Sequence, residues 1–122
     1  MRFYDEQELH RYLHFHRDEL GENISKMIGR NVEFICNEYE IKKRWSGPRA
    51  DMAFKTNDGT LVIVELKNVK IGMFSGFYQI RHYLEAAREN NKDCIGILIG
   101  PNFTEPVLEE IEADDSLYGM YI

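Results

Sequence analysis

The stretch from Arg49 to Lys67 constrains the fold more than any other part of the chain. It reads Arg-Ala-Asp-Met-Ala-Phe-Lys, then Thr-Asn-Asp-Gly-Thr, then Leu-Val-Ile-Val-Glu-Leu-Lys. Two strand-forming runs flank Asn57-Asp58-Gly59, residues that tolerate positive φ, so the segment predicts an antiparallel hairpin. Asp51 and Glu65 are equidistant from Asp58 (58 − 51 = 65 − 58 = 7), which puts them at the same end of the ribbon. Side chains alternate faces along a strand, so Glu65 and Lys67 point one way and Leu66 the other. Glu65 follows an apolar run with no turn between, so it continues a buried strand, where an unpaired acid is costly. A carboxylate pair beside an ammonium is costly to assemble unless a divalent ion neutralises it. Two carboxylates with a backbone carbonyl and waters make a suitable Mg²⁺ or Mn²⁺ site, because these ions prefer oxygen ligands.

The rest of the chain supplies a setting for that hairpin. Leu9, Tyr12, Leu13, His16 and Leu20 recur at helical spacing within residues 4 to 20, with Gly21 as the stop. A further helical turn or two is expected from Asn23 to Ile28. Val32 to Lys43 is rich in β-formers with an imperfect alternation. A helix is predicted from Met73 to Asn90, with Phe77, Ile80, Tyr83, Leu84 and Ala87 on one face. Asp93 to Ile99 is a continuous apolar strand of the kind buried on both sides. Thr104 is placed to cap a helix over Glu105 to Ala113, and Leu117 to Ile122 reads as a last strand. The order predicts an α/β fold of mixed α+β type, a mixed β-sheet flanked by helices in one domain over residues 1–122.

The 122 residues carry a net charge of −6, but its distribution matters more than its sum. Lys42 to Lys92 holds ten Lys/Arg against five Asp/Glu, whereas Asp93 to Ile122 holds seven acids and no Lys or Arg. A polyanion responds to the local field, so overall acidity does not exclude a nucleic-acid partner. Trp45 among Lys42, Lys43, Arg44 and Arg49 is a candidate for stacking a base while the cations hold phosphates, or for capping the core edge. His10 and His14 have a zinc-compatible i, i+4 spacing but no evident third ligand. Cys36 and Cys94 read as core residues rather than a disulfide. No apolar run is long enough to span a membrane, and Met1 to Glu6 lacks the stretch of a signal peptide. The expectation is a soluble, cytoplasmic protein.

Asp51, the hairpin, Glu65-x-Lys67 after an apolar strand, and a helix carrying Gln79 together resemble the PD-(D/E)XK nuclease superfamily. Within it the likeness is to the catalytic domain of NucS-like endonucleases and their RecB-like relatives. Those typically show Gly-Arg-(apolar)-Asp, and Gly47-Pro48-Arg49-Ala50-Asp51 is similar with one extra residue. They also show Gln followed four residues later by Tyr, as Gln79 and Tyr83 are here. The residue before that Tyr is commonly Arg; here it is His82, and Arg81 is shifted by one. Ala50 stands where the superfamily name has Pro. The resemblance spans residues 4 to 100 and implies a restriction-endonuclease-like fold. It also implies a carboxylate from the first helix. Glu6 is the candidate, on the face that continues through Leu9 and Leu13.

The leading reading is a Mg²⁺- or Mn²⁺-dependent deoxyribonuclease, an endonuclease in preference to an exonuclease, of the kind that serves DNA repair. Asp51, Glu65 and the Leu66 carbonyl would hold the metal, with Glu6 as a further ligand. Lys67, Gln79 and Tyr83 would position water or phosphate. DNA would lie across Lys42, Lys43, Arg44, Trp45, Arg49, Lys70, Arg81 and His82. NucS-like proteins usually carry a separate dimerisation domain, so the resemblance also implies a homodimer or a subunit of a larger complex. The alternatives are a nuclease-like fold used only for binding, an accessory protein that binds a partner through its acidic C-terminal region, and a Holliday-junction-resolvase-like enzyme.

Overall fold

The computed structural model describes residues 3–40, 49–90 and 93–122. Its strands are β1 (Val32–Glu40), β2 (Arg49–Thr56), β3 (Leu61–Leu66), β4 (Cys94–Gly100) and β5 (Leu117–Tyr121), and they form one sheet in that spatial order. β2 runs antiparallel to both its neighbours, β1 and β3, whereas β4 and β5 run parallel to β3. The sheet is therefore mixed, as predicted.

Four helices flank it: α1 (Glu6–Phe15), α2 (Arg17–Ile28), α3 (Tyr78–Glu89) and α4 (Glu105–Ala113). Strand alternation divides the apolar side chains into two cores. Val62, Val64 and Leu66 of β3 pack with Leu9, Leu13, Leu20 and Ile24 of α1 and α2. Leu61 and Ile63 pack with Ile80 and Leu84 of α3 and Val107 of α4. β4, covered on both faces, is buried along its whole length. α3 crosses it closely, because a Cβ at Gly96 would come within 2.9 Å of Ile80. Each fully buried Leu or Ile contributes about 1.5–3 kcal/mol, so these two layers hold the sheet rigid beneath whatever sits at its ends.

The chain departs from the predicted elements at a few places, each with a local cause. The first helix bends at His16 (φ −101°, ψ 29°) rather than stopping at Gly21. The His16 amide still bonds Tyr12, and its carbonyl still accepts from Leu20, so the axis turns without stranding backbone groups. Gly21 lies inside α2, where a Cβ would meet the Phe54 ring at 3.5 Å; Gly29, with φ of 72°, ends the helix instead. In β1 a register shift between Phe34 and Cys36 explains the imperfect alternation. Met73 to Phe77 forms an irregular turn rather than the start of the predicted helix, with Gly76 at φ 145°. Thr104 occupies the cap position of α4, but its hydroxyl makes no capping bond. Cys94 is buried, whereas Cys36 is only partly so. No helix among the described residues is long and apolar enough to cross a membrane.

Candidate active site

The β2–β3 ladder follows the register expected about Asp58, with Met52 opposite Val64 and Phe54 opposite Val62. One step further out lie Asp51 and Glu65. There the Asp51 carboxylate accepts the Leu66 N–H at 2.7 Å. Asp51 therefore ties the two strands at the open end of the hairpin, where β3 reaches its carboxyl terminus beside β4. The carboxyl ends of parallel strands are where α/β sheets usually place their ligands.

Glu65 is 4% exposed, and its Oε2 has no hydrogen-bond partner. Burial, reinforced by the negative charge of Asp51, pushes the Glu65 carboxyl up to about 9. The Asp51 carboxyl is also raised, by burial first, although the bond from Leu66 N–H opposes the shift. The two carboxyls are close enough to share a proton. Buried acids normally have their partners. Glu65 Oε2 has none.

Lys67 extends past the strand end with its side chain only 18% exposed, and its Nζ lies 3.8 Å from Glu6 Oε1. Glu6 is thus brought to the site, as the partner of Lys67. Gly76 closes over the lysine stem: a Cβ there would sit 3.2 Å from Lys67 Cγ. Tyr83 of α3 is buried, and its hydroxyl is held above its ordinary range by burial and by the charges of Glu65 and Asp51. Gln79 lies one turn earlier on α3 and is exposed. No group of three or more His, Cys, Asp and Glu side chains among the described residues is arranged to hold a metal by itself.

The other candidates separate. Lys42, Lys43, Arg44 and Trp45 lie outside the described residues. Arg49 is exposed and pairs with Glu40 at 2.8 Å; Lys70 and His82 are exposed. Arg81 is not brought to the site: its guanidinium pairs with Asp114 and Glu110 of the acidic C-terminal region and lies over the Phe77 ring. That contact joins α3 to the α4–β5 connection. His10 and His14 do not converge on a third ligand; Asn37 of β1 lies between them. Sequence reasoning missed two features beside the site. One is Gly76 against Lys67, for which the Gly72/Gly76 pair was the available signal. The other is the exposed Phe74, only two residues earlier.

The mixed sheet with helices on both faces is the restriction-endonuclease-like fold expected from the sequence. Three solved structures share it, each 22% identical to this chain. A repair endonuclease from Pyrococcus abyssi superposes with a TM-score of 0.67 over 87% of this chain and 45% of its own. EndoMS in its apo form gives 0.65, covering 100% of this chain and 48% of that one. EndoMS in complex with double-stranded DNA gives 0.63, covering 87% and 42%. The chain therefore spans less than half the length of these structural neighbours. No protein-family model matches it, and no curated protein is significantly similar.

Proposed function

We propose that this chain is a metal-dependent nuclease that hydrolyses phosphodiester bonds of DNA within the strand. The observation that carries the reading is the buried Glu65 carboxyl, with an unpartnered oxygen, beside Asp51. A pair of carboxyls that resists ionisation in the free protein is what a hard divalent cation relieves, and oxygen donors suit Mg²⁺ or Mn²⁺. Asp51, Glu65 and the Leu66 carbonyl would hold it, with Glu6 as a further ligand. When bound, the ion supplies positive charge to a phosphate oxygen and lowers the pKa of a water.

The chain's own residues account for the remaining chemistry. Lys67, its stem held by Gly76 and its head beside Glu6, would steady a non-bridging phosphate oxygen or the attacking water. Tyr83 stays protonated at physiological pH and so offers an O–H donor to phosphate or water. Gln79 would orient the same group from the solvent side. Arg49, Lys70, His82 and the cations between residues 42 and 44 would meet flanking phosphates, with Trp45 against a base. Arg81 serves this surface only if it leaves Asp114. DNA as partner is supported by the fold shared with EndoMS, which has been captured on double-stranded DNA. Residues 1–122 would act as one catalytic domain in the cytoplasm, as a homodimer or within a larger complex.

The test is cleavage of a labelled panel of single-stranded, duplex, branched and mismatched DNA. EDTA should abolish cleavage, and Mg²⁺ or Mn²⁺ should restore it. Undiminished cleavage in excess EDTA would contradict the metal reading.

A further inference from the structure

Helix α1 carries a second polar cluster, beginning one turn past Glu6. His10 Nε2 lies 3.2 Å from Asn37 Oδ1, and Asn37 Nδ2 lies 2.9 Å from His14 Nδ1. The amide oxygen can only accept, so His10 Nε2 carries a proton. The amide nitrogen can only donate, so His14 accepts at Nδ1 and carries its N–H on Nε2. The chain of bonds therefore leaves His14 with a spare N–H donor and fixes its tautomer. Around these residues is a cleft of about 390 Å³, completed by Gln7, Arg11, Phe15 and Arg17.

This cleft differs from its surroundings in charge. No Asp or Glu lines it, although the whole chain carries −6. Arg17 is pre-positioned, because its Nη1 donates to the His14 carbonyl at 3.0 Å and its guanidinium lies over Phe34. Arg11 is exposed and makes no ion pair among the described residues. Phe15, at the rim, is 81% exposed, so its ring is accessible to a planar ligand group. The same helix begins at Glu6 beside Lys67.

We propose that this α1–β1 cleft is a second nucleic-acid contact, in which a phosphodiester of the bound strand flanking the scissile bond seats against Arg11, Arg17 and the His14 N–H while an adjacent base lies on Phe15. The inference rests on the nuclease reading for its register, since the strand must also reach Asp51 and Glu65. A backbone contact of this kind adds affinity and orientation without reading sequence, and base stacking on Phe15 tolerates any base.

The experiment uses the full chain, in Ca²⁺ in place of Mg²⁺, with a fluorescent oligothymidylate titrated across a salt series. Arg11→Gln should weaken binding several-fold and reduce the salt slope by about 0.7 for the one single-strand phosphate lost. Phe15→Ala should weaken binding while leaving that slope unchanged. Oligonucleotide should also shift the His10 and His14 imidazole NMR signals, and equal inorganic phosphate should not. Wild-type affinity and slope in both variants, or unshifted imidazoles, would overturn the proposal. Equal response to inorganic phosphate would overturn the strand and make the cleft a free-phosphate site. Cleavage is scored separately with Asp51→Asn. A wild-type chain that shifts its imidazoles yet cuts nothing sinks the nuclease reading alone, and one that cuts without the shift sinks the cleft alone.

Discussion

The two ends of the β2–β3 hairpin treat their acids in opposite ways. At the turn, Asp58 accepts from Arg30 at 2.7 Å and from the Thr56 hydroxyl, while Arg30 also reaches the Thr60 hydroxyl. Those bonds, Thr56 first and Arg30 next, hold the Asp58 carboxyl down at about 2. At the open end, Asp51 has one backbone donor and Glu65 has an oxygen with none, and burial drives both carboxyls up. One hairpin thus contains a satisfied acid that closes a turn and, at its other end, a buried acid with an oxygen that has no partner, the one to which the proposed function assigns a cation. A carboxyl raised by burial and left without a partner is a candidate for function, whereas a hydrogen-bonded acid that closes a turn has a structural role.

Substitutions should separate the two ends most clearly by activity. Asp51→Asn and Glu65→Gln should each lower DNA cleavage by about 10²–10³-fold or more, the scale of losing a principal electrostatic group from an active site. Their metal-free Tm should stay level or rise, because a repulsive member of the pair is gone. Asp58→Asn should do the reverse, lowering Tm and leaving specific cleavage per folded molecule unchanged. A Glu65→Gln protein that cleaves normally would erase the distinction. Tyr83→Phe removes one donor and no packing, so it should cost less, on the order of ten-fold in rate, the scale of one hydrogen bond to a charged group.

The pH dependence of stability differs at the two ends as well. Glu65 has a raised folded-state pKa, so its contribution is full below about 4.5 and is lost as pH rises toward about 9. Asp58 has a lowered one, so its contribution is present above about 3.8 and lost as pH falls toward about 2. Chemical denaturation of metal-free protein from pH 5 to 9 should therefore lose stability with a slope that Glu65→Gln flattens. Asp58→Asn should leave that slope and flatten the acid limb instead. Added Mg²⁺ should restore stability at the alkaline end, since it binds the folded form alone.

Much of the hairpin comparison was legible in the chain itself. The symmetry of Asp51 and Glu65 about Asp58 follows from the period of two and a tight turn, both local properties, and the continuous apolar run implied that Glu65 would be buried. Mixed pairing followed from one helix separating two apolar strands. What escaped depended on contacts far apart in sequence. Arg81 reads as a free cation on α3, yet Asp114, thirty-three residues on, claims it. The bend at His16 and the position of Gly21 reflect how α2 must lie against Phe54. The His10–Asn37–His14 chain needs β1 beside α1, and the i, i+4 spacing of the two histidines alone does not announce it.

The central claim is that burial, reinforced by the neighbouring Asp51, keeps the proton on Glu65 in the free protein, and that on the proposed reading a cation displaces it. Calorimetric titration of Mg²⁺ at pH 7.5, repeated in buffers of different ionisation enthalpy, counts the protons released on binding. The account predicts close to one proton per bound ion for the wild type, with weakened binding and no release for Glu65→Gln. Binding without proton release, or equal binding and release by Glu65→Gln, would contradict it.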